Sequence, residues 1–82
     1  METPDRPDEL PYRVYSAESV GAAIRHYRKQ AGLSQEQLAE LAGLHRSYLS
    51  GLESGKETEH LRRILRVLRR LGVRMTLEKA DW

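Results

Sequence analysis

Two short helical segments joined by one tight turn constrain this chain more than any other feature. Ser34 precedes the first segment and Gln37 follows three positions later, the spacing of a capping box that starts a helix. Gly43 ends that segment, and glycine adopts the backbone conformation of a sharp turn without steric cost. The second segment, "RSYLSGLES", follows within a few residues. The pattern predicts two helices that meet at a corner, either an ordinary helical corner or a helix-turn-helix unit.

The length and composition of the chain leave room for one small domain. It has 82 residues and no cysteine, so disulfides and thiolate metal sites are excluded, and stability has to come from tight helix packing, a metal or a partner subunit. The histidines, His26, His45 and His60, lie far apart and form no metal-binding pattern, and no cofactor is expected. No hydrophobic run reaches the length of a membrane span or a signal-peptide core, so we expect a cytoplasmic protein.

Two further helices flank the central pair. The first begins at Ser16 or Ser19 and ends before Gly32, with apolar residues at helical spacing. The fourth begins after Thr58 and ends before Gly72. Its apolar side, which we expect to be buried, consists of Leu61, Ile64, Leu65, Leu68 and Leu71. Its other side carries five arginines: Arg62, Arg63, Arg66, Arg69 and Arg70. In the central pair the residues expected to face inward are Leu38, Leu41, Ala42, Leu49 and Leu52.

The periodicity changes after the fourth helix. In "VRMTLEK", the apolar residues Val73, Met75 and Leu77 alternate with polar ones, which predicts a strand. A single strand needs a partner for its backbone groups. The weak extended segment "YRVY" near the N-terminus is one candidate, and the same strand of a second copy, related by a two-fold axis, is the other. We predict the second, because a dimer also compensates for the small core.

Positive charge is concentrated after the first ten residues. The formal net charge is +2, and because residues 1–10 contribute −3, the remainder carries +5. Eleven of the fourteen basic residues are arginines, whose forked side chains match phosphate and guanine edges. The predicted organisation is a flexible acidic, proline-rich leader at 1–14, a four-helix domain at 15–72, a strand at 73–79 and a tail at 80–82.

The stretch "LSQEQLAELAGLHRSYLSGLESGK" resembles the Cro/C1-type (Xre-like) DNA-binding domain. The matching residues are Gln35, Ala39, Gly43, Leu49, Leu52, Glu53, Gly55 and Lys56. Over about residues 15–80 the chain is also similar to the HipB-type antitoxins of toxin–antitoxin modules, through its length, the absence of a fifth helix and the strand "RMTL". These resemblances imply an all-α fold: a four-helix Xre-like helix-turn-helix domain followed by one C-terminal β-strand that pairs across a dimer.

The resemblance to the Cro/C1-type family also implies roles for individual residues. The implied contacts to DNA bases are Arg46, Ser47 and Ser50, on the exposed side of the third helix. The implied contacts to DNA phosphates are Gln35 and Lys56. By their own chemistry, the His45 imidazole can cap the helix or contact a phosphate, and the Tyr48 hydroxyl can donate to one. Arg28 and Glu53 match a structural ion pair that ties the first helix to the third, so Glu53 is architectural and not catalytic.

Side-chain chemistry favours one residue as the main base contact, and two other residues of this segment differ from the usual family sequence. Arg46 is the strongest candidate for a base contact, since its fork matches the O6 and N7 acceptors of guanine. His45 replaces the usual Ser or Thr cap, and Gly51 occupies a further base-contacting position without a side chain. For Tyr48, packing at the helix edge is an alternative to a phosphate contact.

The sequence therefore predicts a transcriptional repressor that binds a palindromic operator in double-stranded DNA as a homodimer. The resemblance to HipB-type antitoxins implies in addition that the protein neutralises a HipA-like kinase toxin and represses the shared operon with it. The possible toxin contacts are the arginine row, with Arg62, Arg66 and Arg69, and the C-terminal Trp82, since Trp is common among interface hot spots. The arginine row could instead be a solvated face or contact the DNA backbone, and Trp82 could be a disordered end. A regulator without a toxin and an interaction module without DNA binding are the alternative functions. No enzyme is expected, because no nucleophile–base set or phosphate-binding loop occurs.

Overall fold

The computed structural model describes residues 12–56 and 59–80, and in this part of the chain it contains four helices and two short strands. Their order is β1 (Tyr12–Val14), α1 (Ala17–Gln30), α2 (Gln35–Ala42), α3 (Arg46–Glu53), α4 (Glu59–Leu71) and β2 (Met75–Leu77). The prediction of four helices is confirmed. Predictions that concern residues 1–11, Thr58 and Trp82 lie outside the described residues. Among the described helices, none is long and apolar enough to span a bilayer.

Serine side chains start the first two helices. The Ser16 hydroxyl accepts a hydrogen bond from the Ser19 amide at 3.2 Å, and the Ser19 hydroxyl accepts one from the Ser16 amide at 2.9 Å. Ser34 caps α2 with the predicted partner, since its hydroxyl accepts from the Gln37 amide and Gln37 Oε1 accepts from the Ser34 amide. Each reciprocal pair satisfies a backbone donor that the helix N-terminus leaves without an intrahelical partner. The N-cap of α1 is therefore Ser16, the first of the two candidates.

The core forms where α1 and α2 pack against α3, and it extends to β1 and α4. Its buried apolar residues are small or aliphatic: Val14, Ala17, Ala23, Ala39, Leu49 and Leu65. Within α2, the prediction that Leu41 and Ala42 face inward is wrong, because Leu41 is 75 % exposed and Ala42 is also exposed. Ala39 is the buried residue of this helix. Its small side chain lets two short helices approach closely, whereas a larger side chain there would hold them apart.

The fourth helix buries a narrower face than its sequence predicts. Leu65 is buried, but Ile64 and Leu71, which were also expected to face inward, are 38 % and 68 % exposed. Val67 is exposed as well. In a chain this small, the remaining elements cover only part of the circumference of α4. Ile64, Val67 and Leu71 share one flank of the helix and form an exposed surface, here named the α4 apolar stripe.

The two strands form an antiparallel pair within one chain. Tyr12 lies opposite Leu77 and Val14 lies opposite Met75. The "YRV" segment, the less favoured of the two candidates, is thus the partner of the C-terminal strand, and residues 12–14 belong to the sheet although the sequence places them in the leader. Val14 is 5 % exposed, so the position of β1 in this sheet places an apolar residue in the core. The opposite edge of β2 has no strand partner among the described residues.

An aromatic cluster attaches this sheet to α1. The ring of Tyr12 lies 5.1 Å from that of His26 and 5.8 Å from that of Tyr27, measured between centroids. The Tyr27 hydroxyl also donates a hydrogen bond to the carbonyl of Leu77 in β2 at 3.3 Å. Aromatic pairs at these separations are favourable beyond the apolar area that they bury. The cluster therefore holds the sheet, and with it the unpaired edge of β2, in a set position on the domain.

Candidate nucleic-acid interface

Gly43 produces the turn between α2 and α3. Its φ angle is 71°, in the left-handed region that a side chain would strain. The amide of Leu44 donates to the carbonyl of Ala39 at 2.8 Å, which closes the last turn of α2. α3 begins three residues after the glycine, at Arg46. The short connection leaves the two helices little freedom to change their relative angle.

The third helix presents a polar face to solvent. Arg46, Ser47 and Ser50 are all exposed and share one side of α3, while Leu49 is 3 % exposed and points into the core. Glu53 is the only acidic residue of this helix, and its side chain is buried. The exposed face therefore offers a guanidinium and two hydroxyl groups, and α3 itself places no exposed carboxylate among them. Such a surface can donate hydrogen bonds to acceptor groups of a polyanion.

The residues expected to contact phosphates differ in their surroundings. His45, Tyr48 and Lys56 are exposed, whereas Gln35 is half-buried. His45 is the N-cap residue of α3, but its side chain makes no capping hydrogen bond, so the imidazole stays available to a ligand. Tyr48 is 44 % exposed, which combines partial packing with an accessible edge. The amide Nε2 of Gln35 donates to Glu53 Oε1 at 3.0 Å, which uses one of its two hydrogens.

Glu53 is the centre of an ion pair that joins three helices. Arg28 of α1 donates from Nε to Glu53 Oε2 at 2.6 Å and from Nη2 to Oε1 at 3.0 Å, while its Nη1 donates to the carbonyl of Leu33 at 2.8 Å. Gln35 adds a bond from α2. The Arg28 and Glu53 side chains are 10 % and 4 % exposed. The family resemblance implies the pair of Arg28 and Glu53, and the structure adds a hydrogen bond from Gln35. Both charges are therefore neutralised and hydrogen-bonded.

The hydrogen bonds of this cluster also change the ionisation of its members. Those from Arg28 lower the pKa of Glu53; burial acts in the opposite direction, and the bond from Gln35 lowers the pKa further. The hydrogen bonds to Glu53 raise the pKa of Arg28. Both groups therefore stay charged at neutral pH, and the C-terminal end of α3 is held against α1 and α2.

A close backbone approach positions α3 from the α1 side. A β-carbon on Gly21 would lie 2.6 Å from the carbonyl oxygen of Glu53 and closer still to that of Leu52. The sequence alone suggests no role for Gly21. A glycine inside a helix, where it costs about 0.5–1 kcal/mol relative to alanine, is the signal that could have identified it.

We expect Gly21→Ala to lower the free energy of unfolding by about 1–3 kcal/mol, because the added methyl group forces α1 away from α3 despite the better helix propensity of alanine. Urea unfolding followed by circular dichroism measures the change. Ala22→Ser, at the next and exposed position, is the control and should stay within about 0.5 kcal/mol of the wild type. A Gly21→Ala variant as stable as the wild type would contradict this contact between the helices.

The sequence alone assigns no role to one exposed apolar residue between α2 and α3. Leu44 lies between Gly43 and the N-cap His45 and is 42 % exposed. Its position at the N-terminal end of α3 places it beside the residues expected to contact bases. Apolar side chains in that position can contact thymine methyl groups. Only the structure reveals this exposure, because leucine in a sequence is more often a core residue.

The corner, its exposed helix and the ion pair behind it define a helix-turn-helix domain. A protein family described as "Helix-turn-helix" matches residues 24–77, more than half of the chain. An uncharacterized HTH-type transcriptional regulator of Sinorhizobium fredii, y4mF, is 37 % identical over 60 residues, which are 73 % of this chain and 79 % of that protein. The chain therefore belongs to the Cro/C1-type helix-turn-helix family.

Two further relatives are also HTH-type transcriptional regulators. An uncharacterized regulator of Methanothermobacter thermautotrophicus is 43 % identical over 49 residues, 60 % of this chain and 71 % of the relative. SinR of Bacillus subtilis is 46 % identical over 39 residues, which are 48 % of this chain and 35 % of SinR. The similarity to SinR thus covers only a minor part of that protein.

Proposed function

We propose that this chain is a sequence-specific DNA-binding transcriptional repressor. The observation that carries the proposal is the exposed polar face of α3, which a buried ion pair ties to α1 and α2. A helix held in this way fits the major groove, where each base pair presents its own pattern of donors and acceptors. The names of the relatives, HTH-type transcriptional regulators, support the same function.

The proposed base contacts are Arg46, Ser47 and Ser50. Arg46 contributes most to sequence discrimination, because its guanidinium forms two hydrogen bonds to one guanine. The proposed phosphate contacts, which position the protein without distinguishing sequences, are Gln35, His45, Tyr48 and Lys56. Gln35 would use its second amide hydrogen, so that one side chain connects the phosphate to Glu53.

We expect Arg46→Ala to reduce sequence discrimination by roughly 1–3 kcal/mol at one position of each half-site, because guanine O6 and N7 lose their donors. The wild-type protein first selects a preferred duplex from a random pool, and fluorescence anisotropy then measures its affinity for that duplex and for random-sequence DNA. Lys56→Ala is the matched control and should weaken both affinities alike, with a shallower salt dependence. Equal losses on both duplexes in Arg46→Ala would contradict a base contact.

The same selection tests the proposed function as a whole. A repressor of this kind enriches one palindromic sequence. An interaction module without DNA binding enriches none and fails to bind duplex DNA even at low salt, where phosphate contacts are strongest.

We further propose that the functional form is a homodimer. Two surfaces support this proposal: the unpaired edge of β2 and the α4 apolar stripe. Val73, in the connection between α4 and β2, is 51 % exposed and extends the apolar surface. Exposed apolar surface of this kind is typical of an interface, and pairing of two β2 strands through Val73, Met75 and Leu77 would continue the sheet across a two-fold axis. Binding in successive major grooves would require the two α3 helices of such a dimer to lie about 34 Å apart.

The narrower proposal is that the regulator is a HipB-type antitoxin. It would bind and neutralise a HipA-like kinase and repress the shared operon with it. The proposed toxin contacts are Arg62, Arg66, Arg69 and Trp82; the three arginines are exposed on α4, and Trp82 lies outside the described residues. Coexpression with a HipA-like kinase encoded beside this gene tests the proposal through complex formation and loss of kinase activity. A kinase that stays fully active would leave the chain as an Xre-like regulator without a toxin.

A further inference from the structure

A groove runs along α4 where that helix faces the junction of β1 and α1. It consists of two adjoining cavities of about 220 Å³ and about 160 Å³, which share Tyr15, Leu65 and Arg69 in their walls. The floor is apolar and well packed, because Val14, Ala17 and Leu65 are 5 %, 1 % and 8 % exposed. Buried residues of β1, α1 and α4 therefore form the base of the groove.

Large apolar side chains also stand at the mouth of the groove. Tyr15, at the junction of β1 and α1, is 61 % exposed, and Val73, after α4, is 51 % exposed. Both line the groove but leave much of their surface in water. An occupant that inserts an apolar side chain between them would remove this surface from solvent, at about 25 cal/mol per Å².

The rim of the groove is basic. Arg62, Arg66, Arg69 and Arg74 line it, and none of the acidic residues within 12–56 and 59–80 does. Arg62 lies 3.5 Å from Glu18, but both side chains are largely exposed, so this pair is weak. Arg69 donates from Nη2 to the carbonyl of Tyr15 at 3.1 Å and keeps its other donors.

Arg66 is the least engaged of these arginines. Within residues 12–56 and 59–80 its side chain has neither a hydrogen-bond acceptor nor a carboxylate partner, and it is exposed. A guanidinium has five donors in a planar fork that matches a carboxylate. The rim arginines can therefore bind negatively charged groups beside the apolar floor of the groove.

The arginine rim of the groove lies on the opposite flank of α4 from the α4 apolar stripe. At 100° per residue, the centres of the Arg62–Arg66–Arg69 row and of the α4 apolar stripe are roughly 165° apart around the helix axis. A dimer formed through the stripe would leave this rim open, whereas pairing of two β2 strands through Val73 and Met75 would cover the other end of the groove. Binding in the groove is therefore compatible with the stripe dimer. The groove residues are also distinct from the exposed residues of α3, so one molecule can engage DNA and a groove occupant.

We propose that this groove binds an acidic segment of a partner protein. The segment inserts one aliphatic or aromatic side chain between Tyr15 and Val73 and places carboxylates against Arg62, Arg66 and Arg69. The combination of an apolar floor and a basic rim favours such a segment over a DNA backbone, which would leave the apolar walls without a contact. The inference rests on the partner-binding part of the proposed function and specifies the chemistry of that partner.

The test selects random peptides displayed on phage against the immobilised full-length chain. The selected peptides should carry Asp or Glu on both sides of an apolar residue. Fluorescence anisotropy with the synthetic peptide should show a loss of affinity of about tenfold in Arg66→Glu. Arg70→Glu is the matched control, because Arg70 is an exposed arginine of the same helix that does not line the groove, and it should bind the peptide like the wild type.

A second measurement needs no protein variant. Replacing the acidic residues of the peptide by their amides should weaken its binding to the wild-type chain by about tenfold as well. Circular dichroism of Arg66→Glu should match the wild type, since this side chain has no partner to lose. If the variant does not fold, the comparison of acidic and amide peptides decides the question.

Several results would overturn the proposal. Selected peptides without acidic residues, or an equal loss in Arg70→Glu, would show that the groove does not select for negative charge. A change of oligomeric state in Arg66→Glu would make a second copy the occupant. Binding that appears only after Asp5, Asp8 and Glu9 are replaced by Asn, Asn and Gln would make the chain's own acidic residues the occupant.

Affinity for the selected DNA duplex separates this inference from the proposed function. It should be the same in Arg66→Glu and Arg70→Glu, because both substitutions change the charge by the same amount. A selective loss of DNA affinity in Arg66→Glu would assign the groove to the DNA backbone and overturn the proposal. A wild-type chain that binds the acidic peptide but no DNA would instead contradict the repressor function and leave the groove assignment intact.

Discussion

Replacing Glu53 with glutamine is expected to lower the free energy of unfolding by about 3 kcal/mol, a large fraction of the stability of a domain this small. The Glu53 side chain is 4 % exposed and accepts three hydrogen bonds, two from Arg28 and one from Gln35. Glutamine keeps the shape but removes the negative charge, and it turns amide hydrogens toward groups that are themselves donors. The Arg28 guanidinium, which is 10 % exposed, then stays charged without its counterion.

The size of this effect depends on pH in a defined direction. In the folded state, hydrogen bonds from Arg28 lower the pKa of Glu53 below its ordinary value of 4.5. Because the folded pKa is the lower one, the pair contributes its full stability above the unfolded pKa and loses it as the pH falls through the folded pKa. The stability difference between the wild type and Glu53→Gln should therefore be constant near neutral pH and shrink once the pH falls below 4.5.

Urea unfolding followed by circular dichroism, repeated at acidic and neutral pH, measures both parts of this prediction. Glu40→Gln is the matched control, because Glu40 is an exposed carboxylate of α2, and it should change the stability by less than about 0.5 kcal/mol. Equal stability of the wild type and Glu53→Gln at neutral pH would contradict the structural importance of the ion pair. A difference that does not shrink in acid would contradict the role of the Glu53 charge.

The helices could be predicted from the sequence because their ends are marked by local chemistry. The Ser34–Gln37 capping box and Gly43 lie within a few residues of the helix ends that they determine. Such signals act through backbone hydrogen bonds and φ angles and need no information from the rest of the fold. The corner between α2 and α3 follows from them directly.

The buried faces could not be predicted as well, because burial depends on what the rest of the chain covers. Leu41 and Leu71 are as apolar as Leu49 and Leu65, yet the first two are exposed and the last two are buried. Hydrophobic periodicity identifies the apolar side of a helix but not the width of the surface that packs against it. The strand that pairs with β2 was the less favoured candidate for a related reason, since a three-residue strand has almost no periodicity of its own.

The residues of the candidate site were predicted less well than the helix ends but better than the buried faces. Arg28 and Glu53 are 25 positions apart, and no local pattern links them, so their pairing was implied only by the family resemblance. Gln35 as third partner and Gly21 as the point of closest approach require the packed structure. The exposed residues at the start of α3 were easier to predict, because an exposed helix face follows from the position of the buried Leu49.

A chain that carries both Val67→Glu and Leu71→Glu is expected to be a monomer and to bind the selected palindromic duplex about a hundredfold more weakly than the wild type. Val67 and Leu71 are 58 % and 68 % exposed, so their replacement should cost the monomer little stability. In the proposed dimer, however, both side chains face the second copy, and four added carboxylates would repel one another across the two-fold axis. The loss of DNA affinity follows because each half-site must then bind independently.

Light scattering after size exclusion measures the mass, and fluorescence anisotropy measures the affinity. Leu41→Glu is the control for the mass, since Leu41 is 75 % exposed, receives the same substitution and lies on α2, away from the stripe. A duplex with one half-site is the control for the affinity. On this duplex the wild type should bind no more tightly than the double variant, and the double variant should bind it with the same affinity as the palindrome. A double variant that remains a dimer with unchanged affinity would show that the two copies meet through another surface, with the β2 edge as the remaining candidate.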